Sequence, residues 1–153
     1  MKQTGFTIVE LLIVIVLVGI LSSLVFVGIG KSQMRGRDTE RAADIDVIHA
    51  QLEEYYTDKG AYPDTINRTL LPSLPPEVLV DPLGGSIQIY SPVASQAAAQ
   101  ATANPTGTPN YAYIPYPTGC GATNCRGYIL KSLIENPTLP MTNPYVRAGL
   151  HNN

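Results

Sequence analysis

Twenty consecutive residues, Leu11–Gly30, carry no charge, and a single carboxylate, Glu10, stands directly before them. A helix that crosses the hydrocarbon core of a bilayer takes about 20 predominantly apolar residues. The run therefore has the length of one span. A secretory signal peptide has an apolar core of about 7–15 residues, so this run is too long for one. Its charge is also misplaced, because Glu10 lies four residues inside the apolar segment that begins at Phe6. An ordinary membrane anchor accounts for the length but leaves Glu10 unexplained. A carboxylate in such a helix costs about 2.5–3.5 kcal/mol near the bilayer centre and less near its edge. It points to a function and calls for a partner.

The rest of the chain obeys different physics. All 13 prolines lie at Pro63 or beyond, as do seven of the nine tyrosines from Tyr62 onward. An uninterrupted helical half is thus followed by a turn-rich half. The formal net charge of −2 leaves no electrostatic footprint for nucleic acid over the whole chain. Beyond Asp81 the only acid is Glu135, against the cations Arg126, Lys131 and Arg147, a thin basis for DNA binding.

The hexapeptide Gly5-Phe6-Thr7-Ile8-Val9-Glu10, followed by the long apolar helix, resembles the class III signal of type IV prepilins and type II secretion pseudopilins. The resemblance implies that a prepilin peptidase cuts between Gly5 and Phe6 on the cytoplasmic side. Phe6 then becomes an N-methylated terminus, Lys2 belongs to the basic leader, and Glu10 is the fifth residue of the mature chain. The newly exposed ammonium of Phe6 in one subunit is expected to pair with Glu10 of its neighbour. Each charge is thereby neutralised in an apolar setting where an unpaired one is costly. Such a pair sets axial register as a buried polar residue does in a coiled coil.

The family implies a filament subunit. It sits first in the bacterial cytoplasmic membrane as a single-pass protein with its N-terminus in the cytoplasm, and later in an extracellular filament at the cell surface. Its partners are then copies of itself and other pilins, the peptidase, membrane lipid before assembly, and an inner-membrane assembly platform with its ATPase. DNA or a host surface has no support in the residues. The chain departs from the family in two respects. Ser22–Val27 holds no proline, so Gly19, Gly28 and Gly30 serve either local unwinding or close helix packing. Positive charge also follows the run, at Lys31, Arg35, Arg37 and Arg41. The charge rule alone places that side inside, and the peptidase signal is taken over it.

From Lys31 to Lys59 there is no proline and one glycine. Ile45, Ile48, Leu52, Tyr55 and Tyr56 recur at helical spacing, and Ala42 extends the stripe backward. Asp38, Glu40, Asp44, Asp46, Glu53, Glu54 and Asp58 are expected mostly on a solvated opposite face, with Arg35, Arg37 and Arg41 open to contacts between subunits. The two helical parts join into one rod of about 50 residues, roughly 75 Å long. Gly60 is placed to end it, with Pro63 soon after. Tyr55 through Tyr62-Pro63 is similar to the point where pilin-like chains leave the helix for the αβ-loop.

The distal half reads as a Pro-rich tethered loop over 64–85 and short strands at Ile87–Tyr90, Tyr111–Ile114 and Gly127–Ile134. Residues 92–109 read as an exposed mobile loop, and the tail from Asn136 shows little periodicity. The expected fold is α+β and pilin-like. A long N-terminal α-helix, its first half transmembrane, packs on a small antiparallel β-sheet. The expected divisions are a leader at 1–5, a transmembrane and assembly helix at 6–30, an amphipathic helix at 31–59, and the αβ-loop with the sheet at 60–153.

Cys120 and Cys125 lack the further ligands a structural metal site needs and the tighter spacing of a redox pair. A small disulfide loop outside the cytoplasm fits them best, with two reduced surface thiols as the alternative. No Asp or Glu lies between Leu83 and Ile134, so the calcium site common in secretion pseudopilins is not expected. That mildly favours a pilus subunit over a secretion pseudopilin, and a competence pseudopilin stays an alternative. A membrane-anchored binding protein that never polymerises is the other alternative. No nucleophile–base set or phosphate loop is present, so no catalytic residue, metal or cofactor is assigned.

Overall fold

The computed structural model describes residues 5–107, 110–121, 124–138 and 141–151, with the backbone alone for 24–28. Residues 1–4, Lys2 and most of the expected leader among them, lie outside the described residues.

Helix α1 runs unbroken from Ile8 to Lys59, 52 residues, which is about 78 Å at 1.5 Å per residue. It passes through Gly19, Gly28 and Gly30 without interruption. At its far end Gly60 turns left-handed, φ 73°, and its N–H donates to Tyr56 O at 2.7 Å. A side chain with Cβ rarely adopts that φ, which is why glycine ends helices this way. Phe6 is 87% exposed, and the described apolar side chains from Ile8 to Leu21 are at least half exposed on every face of the helix. Among the described residues no helical stretch is long and apolar enough to cross a membrane.

The second half of α1 carries a four-stranded sheet in the order β1 (Gln88–Ile89), β2 (Tyr111–Tyr116), β3 (Gly127–Ser132), β4 (Tyr145–Ala148). A short 3₁₀ turn at Pro76–Leu79 lies in the preceding loop. The stripe Ile45, Ile48, Leu52 and Tyr55 packs as anticipated, against Tyr111, Tyr113, Tyr128 and Leu130 on one face of the sheet.

The sheet is mixed, where the sequence pointed to antiparallel pairing throughout. β2–β3 and β3–β4 are antiparallel, but β1 pairs with β2 in parallel, Gln88 opposite Ala112. Parallel neighbours need a crossover of a dozen or more residues, and residues 90–110 supply it. They are not a featureless loop. Ser95 caps helix α2 (Gln96–Ala101), its hydroxyl accepting from the Ala98 N–H at 3.3 Å. Alanine and glutamine are good helix formers. Ala99 is buried against Ala112, Ile114 and Ile129 on the outer face of the sheet.

Two further differences concern strand limits. β2 continues through Pro115 to Tyr116. The Pro115 carbonyl accepts from Val93 N at 3.0 Å, on the side away from β3. The missing proline N–H points the same way, beyond the two-residue β1, and costs no ladder bond. β4 arises in the tail that carried no periodicity, held by Lys131↔Val146 and Ser132↔Tyr145.

Candidate assembly site

The N-terminus is organised by one short segment. Gly5, Phe6 and Thr7 precede the helix and are exposed. Thr7 is the N-cap, with extended backbone, φ −81° and ψ 150°. The Thr7 hydroxyl accepts from Glu10 N at 3.2 Å and donates to Glu10 Oε2 at 2.9 Å; the Thr7 N–H donates to the same oxygen at 3.0 Å. This is a capping box, and it answers helix-end N–H groups that have no intrahelical partner. The spacing Thr7-x-x-Glu10 was its legible sign. Glu10 thus has a partner within its own chain. Joined to Gly5, the Phe6 nitrogen belongs to a peptide bond and carries no charge, and Glu10 engages Thr7. The bond between Gly5 and Phe6 lies in exposed, non-helical chain just before the cap.

The charges of the second half of α1 are arranged differently from the solvated face anticipated. Asp38 and Arg41 are fully buried. Arg41 donates to Asp81 from Nε at 2.8 Å and Nη2 at 3.2 Å, and from Nη1 to Asp38 at 3.0 Å and Glu135 at 2.7 Å. Arg37 holds Glu135 by two more hydrogen bonds, at 2.8 and 2.6 Å. Asp38 in turn accepts the backbone N–H groups of Glu135 and Asn136. Arg37 and Arg41 therefore fasten the head to α1; Arg41 is fully buried, while Arg37 keeps about a quarter of its side chain exposed. The hydrogen bond from Arg37, opposed by partial burial and reinforced by Arg41, draws the Glu135 carboxyl from 4.5 down to about 2. Burial alone pushes the Asp81 carboxyl up, but Arg41, the Leu83 N–H and Asn110 outweigh it and leave it below the usual range.

Further along, Asp44 accepts from the Tyr111 hydroxyl at 2.7 Å, and Asp46 pairs with Arg147 at 2.6 Å. Glu53 accepts from the hydroxyls of Tyr62 at 2.8 Å and Tyr128 at 2.9 Å, and from Leu150 N at 3.2 Å. Asp44 and Glu53 are half-buried beside the apolar stripe because tyrosines reach them with their polar tips. Glu40, Asp46, Glu54 and Asp58 stay exposed as expected.

Cys120 and Cys125 form a disulfide with Cα atoms 4.9 Å apart, in the connection between β2 and β3. Residues 122 and 123 of that loop lie outside the described residues. Cys125 also exchanges two backbone hydrogen bonds with Tyr62, at 2.9 and 3.2 Å, which tie the loop to the end of the helix.

One long helix, apolar all round at its start and carrying a small sheet on its far half, defines a pilin-like protein. The model of the prokaryotic N-terminal methylation motif matches residues 1–26. The type II secretion system core protein G of Klebsiella michiganensis is 33% identical over 107 residues, 60% of this chain and 75% of that protein. Its namesake in Escherichia coli K12 is 29% identical over 123 residues, 69% of this chain and 84% of that protein. The type IV major pilin protein PilA of Myxococcus xanthus is 27% identical over 66 residues, 43% of this chain and 30% of that protein. No solved structure matches with significance. The chain belongs to the family of type IV pilins and type II secretion pseudopilins.

Proposed function

We propose that this chain is the precursor of a filament subunit, cut between Gly5 and Phe6, methylated on Phe6, and assembled through α1. One observation carries the reading. From Phe6 to Leu21 the described apolar side chains are exposed all round, and the head covers none of them. Such a surface needs first a bilayer and then the helices of other copies. The subunit waits in the cytoplasmic membrane with its N-terminus inside, and the filament lies outside it. Prepilin peptidase, other pilins, membrane lipid and an assembly platform with its ATPase are the partners.

Within this reading Thr7 satisfies Glu10 while the subunit is single. Cleavage then creates the Phe6 ammonium, and the Glu10 of an adjoining copy answers it. A charged pair is a stronger hydrogen-bonding partner than a neutral hydroxyl, so the exchange favours assembly. N-terminal mass analysis of sheared filaments tests cleavage, methylation and assembly together. Glu10→Leu is expected to leave the subunit in the membrane and abolish most filament yield; normal yield sinks the charge pair.

Two homes remain for such a filament. The want of carboxylates between Leu83 and Ile134 favours a pilus. The names of the relatives from K. michiganensis and E. coli favour a secretion pseudopilus. Deleting the chain separates them: loss of surface fibres with exoprotein export intact supports the first, and loss of export supports the second.

A further inference from the structure

At the far end of α1 a cleft of about 420 Å³ opens between the helix terminus, the disulfide loop and the tail. Lys59, Arg126, Asn124 and His151 line it together with Tyr56, and none of its lining residues is acidic. These side chains come from three separate stretches of sequence. Neither Lys59 nor Arg126 forms an ion pair among the described residues. The Asn124 carbonyl oxygen already accepts the Gly121 N–H at 2.5 Å, which leaves its amide NH₂ to donate. The His151 ring is stacked flat on Tyr56, centroids 4.2 Å apart at 5°, and its backbone N–H donates to the Tyr62 hydroxyl. Cys125 is fixed beneath by the disulfide and by its hydrogen bonds to Tyr62. The cleft is thus a braced concavity furnished with donors and positive charge.

We propose that this cleft binds a phosphate-type oxyanion. Lysine supplies a point charge and arginine a planar fork that matches a phosphate group. Two sources carry that chemistry to this end of the molecule: free inorganic phosphate and the phosphodiester backbone of a nucleic acid strand. A lipid headgroup is out of reach, since the helix from Gly30 to Lys59 holds the cleft roughly 45 Å from the apolar run. The inference does not depend on filament assembly. The other two distal cations play no part, because Lys131 donates to Gln100 O and Thr102 O and Arg147 is held by Asp46.

The test uses the full chain in an uncharged detergent, titrated in separate arms with inorganic phosphate and with a fluorescent 12-nucleotide oligothymidylate. Saturable binding in either arm is expected, weakened about tenfold or more by Lys59→Gln with Arg126→Gln. Arg126→Lys retains part of it, and Arg68→Gln, on an exposed loop elsewhere, leaves it unchanged. If the strand is the ligand, log K falls with log salt at a slope of about −1.4, the value for two neutralised phosphates. Binding of phosphate alone assigns the site to the free anion. No saturable binding in either arm overturns the proposal. So does binding that the double variant leaves intact, or that Arg68→Gln weakens equally.

Discussion

Arg41 on the helix and Asp81 in the loop grip each other through two hydrogen bonds, 2.8 and 3.2 Å, with both side chains wholly withdrawn from solvent. Forty residues of chain separate them, so the contact closes the αβ-loop onto α1. Removing one partner of a buried pair strands the other charge and typically costs about 3–5 kcal/mol. Arg41→Ala strands Asp81 and Asp38 together and is expected to lose at least that much. Arg41→Lys restores charge without the planar fork and recovers only part. Denaturant unfolding of the full chain in detergent measures both.

Acid is expected to loosen the same junction. Glu135 titrates near 2 in the folded protein against 4.5 as its ordinary value, and Asp81 is also drawn down. A depressed carboxyl contributes stability that is complete above the unfolded value and is lost as pH falls through the folded one. Stability should therefore hold at neutral pH and decline from about pH 4.5 toward 2. Glu135→Gln should flatten that decline. An unchanged slope in this variant speaks against the assignment.

The phenols on the inner face of the sheet should resist ionisation. Burial, and then the Glu53 carboxylate, push Tyr128 far above the ordinary 10.0; burial and Asp44 do the same to Tyr111. Ultraviolet titration of the folded protein follows their ionisation. Tyr111, Tyr113 and Tyr128 should ionise only together with alkaline unfolding. Reversible ionisation of all nine tyrosines below pH 11, with the fold intact, is the contrary result.

Reducing the Cys120–Cys125 bond frees a very short loop. The chain-entropy relation gives about 2 kcal/mol for its closure. The double Cys→Ser variant is expected to lose close to that and to keep its fold, because Tyr62 and Cys125 remain joined by backbone hydrogen bonds. Comparing urea midpoints of oxidised and Ser-substituted chains checks the figure.

Much of this protein could be read before its structure. Periodicity located the helix stripe at Ile45, Ile48 and Leu52, and Gly60 marked the helix end. Both signals are local: they follow from a 3.6-residue repeat and from one φ that glycine tolerates. The proposed Gly5-Phe6 junction with Glu10 rests on a signal of the same local kind, carried by adjacent residues. β4 and α2 were missed. A four-residue strand beside prolines has no pattern of its own and exists because β3 offers it a hydrogen-bonding edge. Six residues, Gln96–Ala101, are too few to be stable alone and hold because Ala99 finds the outer face of the sheet.

The sequence by itself determined the long helix, its apolar start, the place where it stops and the family to which it belongs, because each depends on neighbours in the chain. Only the tertiary structure decided the fate of the charges. Arg41 and Asp38 read as solvent-facing until Asp81 and Glu135 arrived from 40 and 94 residues away. Lys59, Arg126 and His151 became neighbours only when the disulfide loop and the tail met the end of the helix. Charge pairing in space carries no period along the chain, and the partners become visible only when the fold brings them within hydrogen-bonding reach.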